Sequence, residues 1–368
     1  MKTECIKEKL TSAVAQAEKI AGKNLTLPVL SCVLVEATKN SISIKSTNLD
    51  LGIEITIPAK TQTEGKVAIP GNILSSFLNN SPYENNITLE TTETGVLKIT
   101  TPKTSTAIKS IPADDFPSIP EVSDEQSFKI KATDFVRGLK SVWYSSSVSS
   151  IKPELSSILV RCDDDTLICA ATDSFRLAEK RIKLKNQKPF ENILIPFKNV
   201  QEIIKVLDAA KDGEVLLCVT KNQISISYDG VYLTSRVIDG VFPDYHQIIP
   251  KENQTEAIVL KDDLIQAFKI ANIFSDKFNQ INLKAEPSKK NFEIKTSNAD
   301  LGESVNKVDA NLSGEDVAVN FNHKYVTDCF STLSGDSVSL SFNGLNKPLV
   351  IRGVGDSSFL YLVMPMNR

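Results

Sequence analysis

The 368-residue chain is 41% hydrophobic and 24% charged, with a formal net charge of −3, so it is an ordinary globular protein with room for two or three cores. That balance excludes a disordered or collagen-like chain, and the longest uncharged apolar run, residues 27–35, is too short to span a bilayer. No apolar leader follows Met1, and Cys5, Cys32, Cys162, Cys169, Cys218 and Cys329 form no C-x-x-C pair, so we expect a cytoplasmic protein with reduced, core cysteines and no membrane association.

The first helix is predicted from Ile6, Leu10, Val14, Ala17 and Ala21 on one period, with Lys7, Lys9, Glu18, Lys19 and Lys23 on other faces and Gly22 as its stop. Strands are expected over 30–35, 41–45 and 52–57, then a short helix through Ile73, Leu74, Phe77 and Leu78. A meander over 87–90, 96–100 and 106–111 ends at Pro112-Ala113-Asp114-Asp115-Phe116-Pro117. The cycle restarts at Ser127 with a strand over 128–130, a helix using Phe135, Leu139 and Val142, and strands over 155–161 and 167–170. After the polar turn Ala171-Thr172-Asp173-Ser174-Phe175-Arg176 come a strand at 193–195 and a helix through Val200, Ile203, Ile204 and Leu207. Strands at 215–219, 224–228 and 232–238 follow, and Val241-Phe242-Pro243-Asp244-Tyr245 closes the second cycle. The third runs from Lys251 through Leu264, Phe268 and Ile273, strands to Lys307, a helix over 325–333 and strands at 338–342 and 349–353. It finishes at Tyr361-Leu362-Val363-Met364-Pro365-Met366.

The three cycles are copies of one unit. Thr47-Asn48, Thr172-Asp173 and Ser297-Asn298 recur at a spacing of 125, and strand-to-helix joints ending at Pro70, Pro196 and Asn320 keep nearly the same period. The expected class is therefore α+β: three repeated domains, 1–125, 126–250 and 251–368, each with two helices packed on antiparallel sheets.

Little in the chain promises catalysis. Neither Gly22-Lys23 nor Gly65-Lys66 completes a phosphate-binding loop, no G-x-G-x-x-G follows a strand, and His246 and His323 have no partner at metal-binding spacing. No cofactor and no metal are expected. Asp173 with Arg176 could form a catalytic pair, but Asn at the equivalent positions 48 and 298 says that the turn needs a short polar side chain more than an acid. Besides Met1 the methionines are Met364 and Met366, flanking Pro365, and so soft a cluster suits either a buried terminal strand or an apolar pocket for several partners.

The segments 171–178, 239–245 and 361–366, with Leu27-Pro28 and Lys152-Pro153-Glu154-Leu155, resemble signature segments of the bacterial DNA polymerase III beta subunit family, the sliding clamps. That resemblance covers nearly the whole chain. It implies a head-to-tail homodimer whose six domains close a ring around duplex DNA, helices inside and sheets outside. It also implies a tether rather than an enzyme, gripped by the replicative polymerase and the clamp loader through short linear peptide motifs. The family's peptide pocket falls on Leu155, Thr172, Arg176, Leu177, Pro243, Gln247, Ile248 and the C-terminal segment Leu362, Val363, Met364, Pro365 and Met366, with Ser174 and Phe175 on the rim. Ser174-Phe175 replaces a usual Gly-His, which puts a glycine-type backbone angle there in doubt, and Gln247 replaces a usual arginine. The apolar contact between subunits is expected at Ile108 on one edge and Ile273 and Phe274 on the other.

A net charge of −3 is compatible with DNA because a sliding ring must not grip. Lys19, Lys23, Arg137, Lys140, Lys198, Lys205 and Lys269, on or beside predicted helices, are the candidates for a modest, sequence-independent lining, thinned by Phe197 where a basic residue is usual. Two rival readings are a three-repeat scaffold without nucleic acid and an enzyme centred on the Asp173 turn.

Overall fold

The computed structural model describes residues 1–22, 27–81, 85–92, 95–123, 126–184 and 189–366. Each of its six α-helices follows directly on a strand. They are α1 (Lys7–Ile20), α2 (Gly71–Asn80), α3 (Ala132–Val142), α4 (Phe197–Leu207), α5 (Lys261–Ile273) and α6 (His323–Thr327). In α1 the apolar period buries Leu10, Ala13, Val14, Ala17 and Ile20, and in α4 it buries Val200, Ile203, Ile204 and Leu207. Gly138 lies inside α3 because a Cβ there would sit 2.9 Å from Ile182 Cδ1 and 3.1 Å from Cys169 Sγ, so the bare backbone packs on that sheet.

Two expected elements differ. The helix expected over 325–333 is a five-residue α6 that starts at His323, where the Asn322 side chain accepts from Lys324 N and Tyr325 N, and the chain then continues in turns. The strand expected from residue 30 begins at Cys32, because Pro28 opens a 3-10 turn through Ser31.

By internal contacts the chain forms two compact units, 1–135 with 198–237 and 136–197 with 238–368. The first holds a twelve-stranded antiparallel sheet in which the long strand Leu51–Thr63 pairs with Val231–Arg236 through Leu51 to Ile55. Its path ends at the strand Ser105–Lys109, which among the described residues pairs on one side only. The second unit holds a nine-stranded sheet, in which Arg176–Lys183 pairs with Phe359–Val363, and a four-stranded sheet running from Gly302–Lys307 to Val317–Asn322. Each large sheet thus joins strands of two sequence repeats across a seam. All six cysteines are free and buried, and burial pushes the Cys5 and Cys169 thiols up to about 12.

Candidate functional site

The recurring turn is built alike in all three repeats. Asn48 Oδ1 accepts from the amides of Asp50 and Leu51, Asp173 Oδ1 from Phe175 and Arg176 at 2.9 and 3.0 Å, and Asn298 Oδ1 from Asp300 and Leu301. Thr47 and Thr172 add a second brace, each Oγ1 accepting from the amide two residues on and donating to the carbonyl four residues on. The Asp173 carboxylate closes this turn and pairs with Arg176 Nε at 3.0 Å. The doubt over the backbone at 174 is corrected, because Ser174 does take a left-handed angle of +79°, as Leu49 does at +78° in the first repeat. The paired side-chain braces hold the turn there without glycine.

Arg176 is clamped rather than offered to solvent. Its guanidinium bridges Asp173 and Asp328 and lies 4.5 Å from the centre of the Tyr325 ring, whose backbone carbonyl accepts from the Tyr361 hydroxyl at 2.7 Å. Burial opposes that charge, but Tyr361, Asp173 and Asp328 outweigh it and raise the Arg176 pKa. Phe175 remains 60% exposed and stacks on the same Tyr325 ring at 6.3 Å. Tyr325 and Asp328 were not anticipated; no spacing in the sequence places a third-repeat acid beside the second-repeat turn.

The chain end reaches this turn. Arg176 and Leu177 pair with Val363 and Leu362, Met364 N donates to Phe175 O at 2.8 Å, and Met366 N donates to Asn320 O at 2.8 Å. The last strand runs through Val363, and both Leu362 and Val363 are buried in it. Leu177 and Leu362 sit in one core cluster with Phe242 and Tyr245, and Tyr245 donates its hydroxyl to the buried Glu179. Leu155 is buried just ahead of the strand Ser157–Asp163. Met364, Pro365 and Met366 are half-buried, while Ser174, Pro243, Gln247 and Ile248 are exposed. Gln247, Ile248 and Met364 share the wall of a groove of about 530 Å³ with Ile249, Pro250 and Pro348. Gln247 is held along its short helix by a 2.9 Å bond to Asp244.

Of the basic residues singled out, Lys19, Arg137, Lys140, Lys198, Lys205 and Lys269 are exposed on α1, α3, α4 and α5, Lys205 paired with Glu202 at 2.8 Å, and Lys23 lies outside the described residues. Phe197 stacks on Trp143 at 5.6 Å, a packing reason for an aromatic there. Ile108 is buried on the edge strand Ser105–Lys109, Ile273 is 64% exposed at the end of α5, and Phe274 is half-buried. Among the described residues no group of His, Cys, Asp and Glu is placed to hold a metal, and no helix is long and apolar enough to cross a membrane.

The site is thus an antiparallel α+β architecture in which a braced turn grips the C-terminal segment. Three consecutive family models match: the DNA polymerase III beta subunit N-terminal domain over residues 1–120, its central domain over 129–244 and its C-terminal domain over 246–367. The chain is 27% identical over 381 aligned positions to the beta sliding clamp of Bacillus subtilis (strain 168), covering all of both. A crystal structure of the DNA polymerase sliding clamp from Bacillus subtilis superposes with a TM-score of 0.95 at 25% identity, over 100% of this chain and 99% of that one. The DNA polymerase III subunit beta from Pseudomonas aeruginosa shares the fold, with a TM-score of 0.94 at 22% identity and full coverage of both chains. The chain belongs to the DNA polymerase III beta subunit family, the sliding clamps of DNA replication.

Proposed function

We propose that the chain is a cytoplasmic, non-catalytic processivity factor: a homodimeric ring that encircles duplex DNA without reading sequence and tethers the replicative polymerase. The observation that carries this reading is the unbroken run of three family domains along one chain. We take 1–125, 126–250 and 251–368 as the evolutionary units, although the sheets run across their borders.

In this reading the peptide groove lies where the Asp173 turn, the Phe242-Pro243 segment and Met364 to Met366 come together. Apolar side chains of a partner segment are buried against Ile248, Pro243 and Met364, over a floor supported by Leu155, Leu177, Leu362 and Val363. Thr172 and Arg176 position the wall rather than contact the peptide, because their polar atoms are committed within the turn and to Asp328. Ser174 and Phe175 form the rim, and Phe175 makes it more apolar. Exposed bases on α1, α3, α4 and α5 supply a weak phosphate contact suited to sliding. Subunits meet through Ile108, on the terminal strand of its sheet, on one protomer and Ile273 and Phe274, at the end of α5, on the other.

The test is mass and topology together. Gel filtration with light scattering is expected to give twice 40.4 kDa. Protein loaded on closed circular DNA should stay in moderate salt and leave when the circle is cut. A monomer at micromolar concentration, or persistent retention on unblocked linear DNA, sinks the ring.

A further inference from the structure

The internal repeat makes the groove at the chain end comparable with a second place on the same chain. Phe116-Pro117 precedes Phe242-Pro243 by 126 residues, and Leu34 and Glu54 precede Leu159 and Glu179 by 125. The structure honours the equivalence. Phe116 packs on the cluster of Val29, Cys32, Leu34 and Ala68, as Phe242 packs with Leu159, Ala170, Leu177 and Leu194. Each phenylalanine belongs to a strap beside a seam that joins two repeats.

At the first seam the strap covers a groove of about 710 Å³, larger than the one beside Met364 and within the range of built binding sites. Its strap is anchored rather than loose. The Tyr232 hydroxyl accepts from Val122 N at 2.9 Å and donates to Pro120 O at 3.0 Å, and Ile119 fills the space left by the missing side chain of Gly52. Phe116, Ile119 and Tyr232 supply apolar and aromatic walls. The charged lining is Glu36, Glu54, Asp114 and Glu121 against Lys45 and Lys66, four carboxylates to two amines. Both amines are already taken, Lys45 by Glu36 at 3.0 Å and Glu54 at 3.3 Å, Lys66 by Asp114 at 2.9 Å. Glu121 is exposed and pairs with no cation among the described residues.

We propose that this groove is a second docking site, for an extended partner segment that presents a lysine or arginine beside an apolar side chain. The apolar side chain enters between Phe116 and Ile119, and the cation meets Glu121 at the mouth, with Glu36 and Glu54 deeper. Nucleic acid is the wrong occupant, because phosphates would face a lining with two more carboxylates than amines, Glu121 foremost. The site is separate from the Met364 groove and depends on neither DNA nor a polymerase.

The probe is a fluorescein-labelled decapeptide alternating arginine and leucine, added to the full-length protein and read by fluorescence polarisation and by hydrogen exchange. Binding is expected to slow exchange at residues 112–123. Glu121→Lys, an exposed change that leaves thermal unfolding alone, is expected to weaken binding by about fivefold or more. Met364→Ala should leave the affinity as it was, and a peptide with glutamate for arginine should not bind. Equal affinity for Glu121→Lys, no binding of the arginine peptide at all, or protection confined to the Met364 groove would each overturn the proposal. None of those outcomes bears on whether the protein encircles DNA.

Discussion

Ending the chain after Val363 rather than after Tyr361 separates two roles of the terminus. Leu362 and Val363 are 1% and 0% exposed, paired on one side with Leu177 and Arg176 and on the other with Val350 and Leu349. Each buried side chain contributes roughly 1.5–3 kcal/mol by transfer, and each lost ladder bond costs about 1 kcal/mol. Removal of residues 362–368 should therefore cost about 5–8 kcal/mol, comparable with the whole stability of a typical domain. Stopping after Val363 removes only half-buried Met364, Pro365 and Met366 with their bonds to Phe175 and Asn320, and should cost about 1–3 kcal/mol. The same cut strips one wall from the peptide groove. If two apolar side chains of a partner peptide contribute roughly 3–6 kcal/mol, losing half of that weakens a micromolar complex by about 10- to 150-fold. Thermal unfolding and fluorescence polarisation with a leucine- and phenylalanine-containing peptide measure the two effects on the same samples. Unchanged affinity after the Val363 cut would place the groove elsewhere, and an unchanged melting temperature after the Tyr361 cut would refute the terminal strand register.

Three further outcomes can be checked. Ile273→Asp with Phe274→Asp places two charges in the proposed apolar subunit contact, so light scattering should report 40.4 kDa, and an intact dimer would reject that contact. Burial holds the His323 imidazole below its usual 6.5 while its Nε2 bonds the Phe268 carbonyl at 3.0 Å; the unfolded chain therefore gains a proton first, and stability should fall as pH drops below about 6.5. A His323→Gln variant should show a flatter melting curve between pH 7.5 and 5, and an identical slope would remove His323 as the cause. Finally, Cys5, Cys32, Cys162, Cys169, Cys218 and Cys329 are all buried, and burial raises the thiols of Cys5, Cys32, Cys162, Cys169 and Cys329, so a thiol-disulfide reagent should titrate none quickly in the native protein and all six in guanidinium. Fast native labelling would contradict their burial.

The sequence carried the repeat and the local chemistry of its turn, because both depend on residues within a few positions of each other. Asn48, Asp173 and Asn298 announce the same side-chain-to-backbone bonds that the structure contains. The helical periods of α1 and α4 were equally legible. The short α6 was not, since Val326, Phe330 and Leu333 keep a helical spacing while the backbone leaves the helix after Thr327. Nor could the pairing of Leu51 with Ser235, or the placing of Asp328 and Tyr325 around Arg176, be read from spacing. Those contacts join residues more than a hundred positions apart, where no short-range period reports the partner. The replacement of a basic residue by Phe197 looked like a gap in a charged lining, yet Trp143 supplies an aromatic reason for it.

The two sheets that run through repeat borders make the repeats poor modules. A fragment ending near residue 125 would bare the backbone donors and acceptors of Leu51 to Ile55, which in the intact chain are matched by Val231 to Ser235. A fragment of residues 126–250 would bare both that strand and Arg176 to Lys180, whose mates lie at Phe359 to Val363. Each piece would offer a ready template for another copy, so domain-swapped dimers and aggregates are the expected fate of separately expressed thirds. Shuffling repeats between relatives would succeed only when the donor brings both strands of a seam, which makes the strand pair, and not the repeat, the unit of exchange.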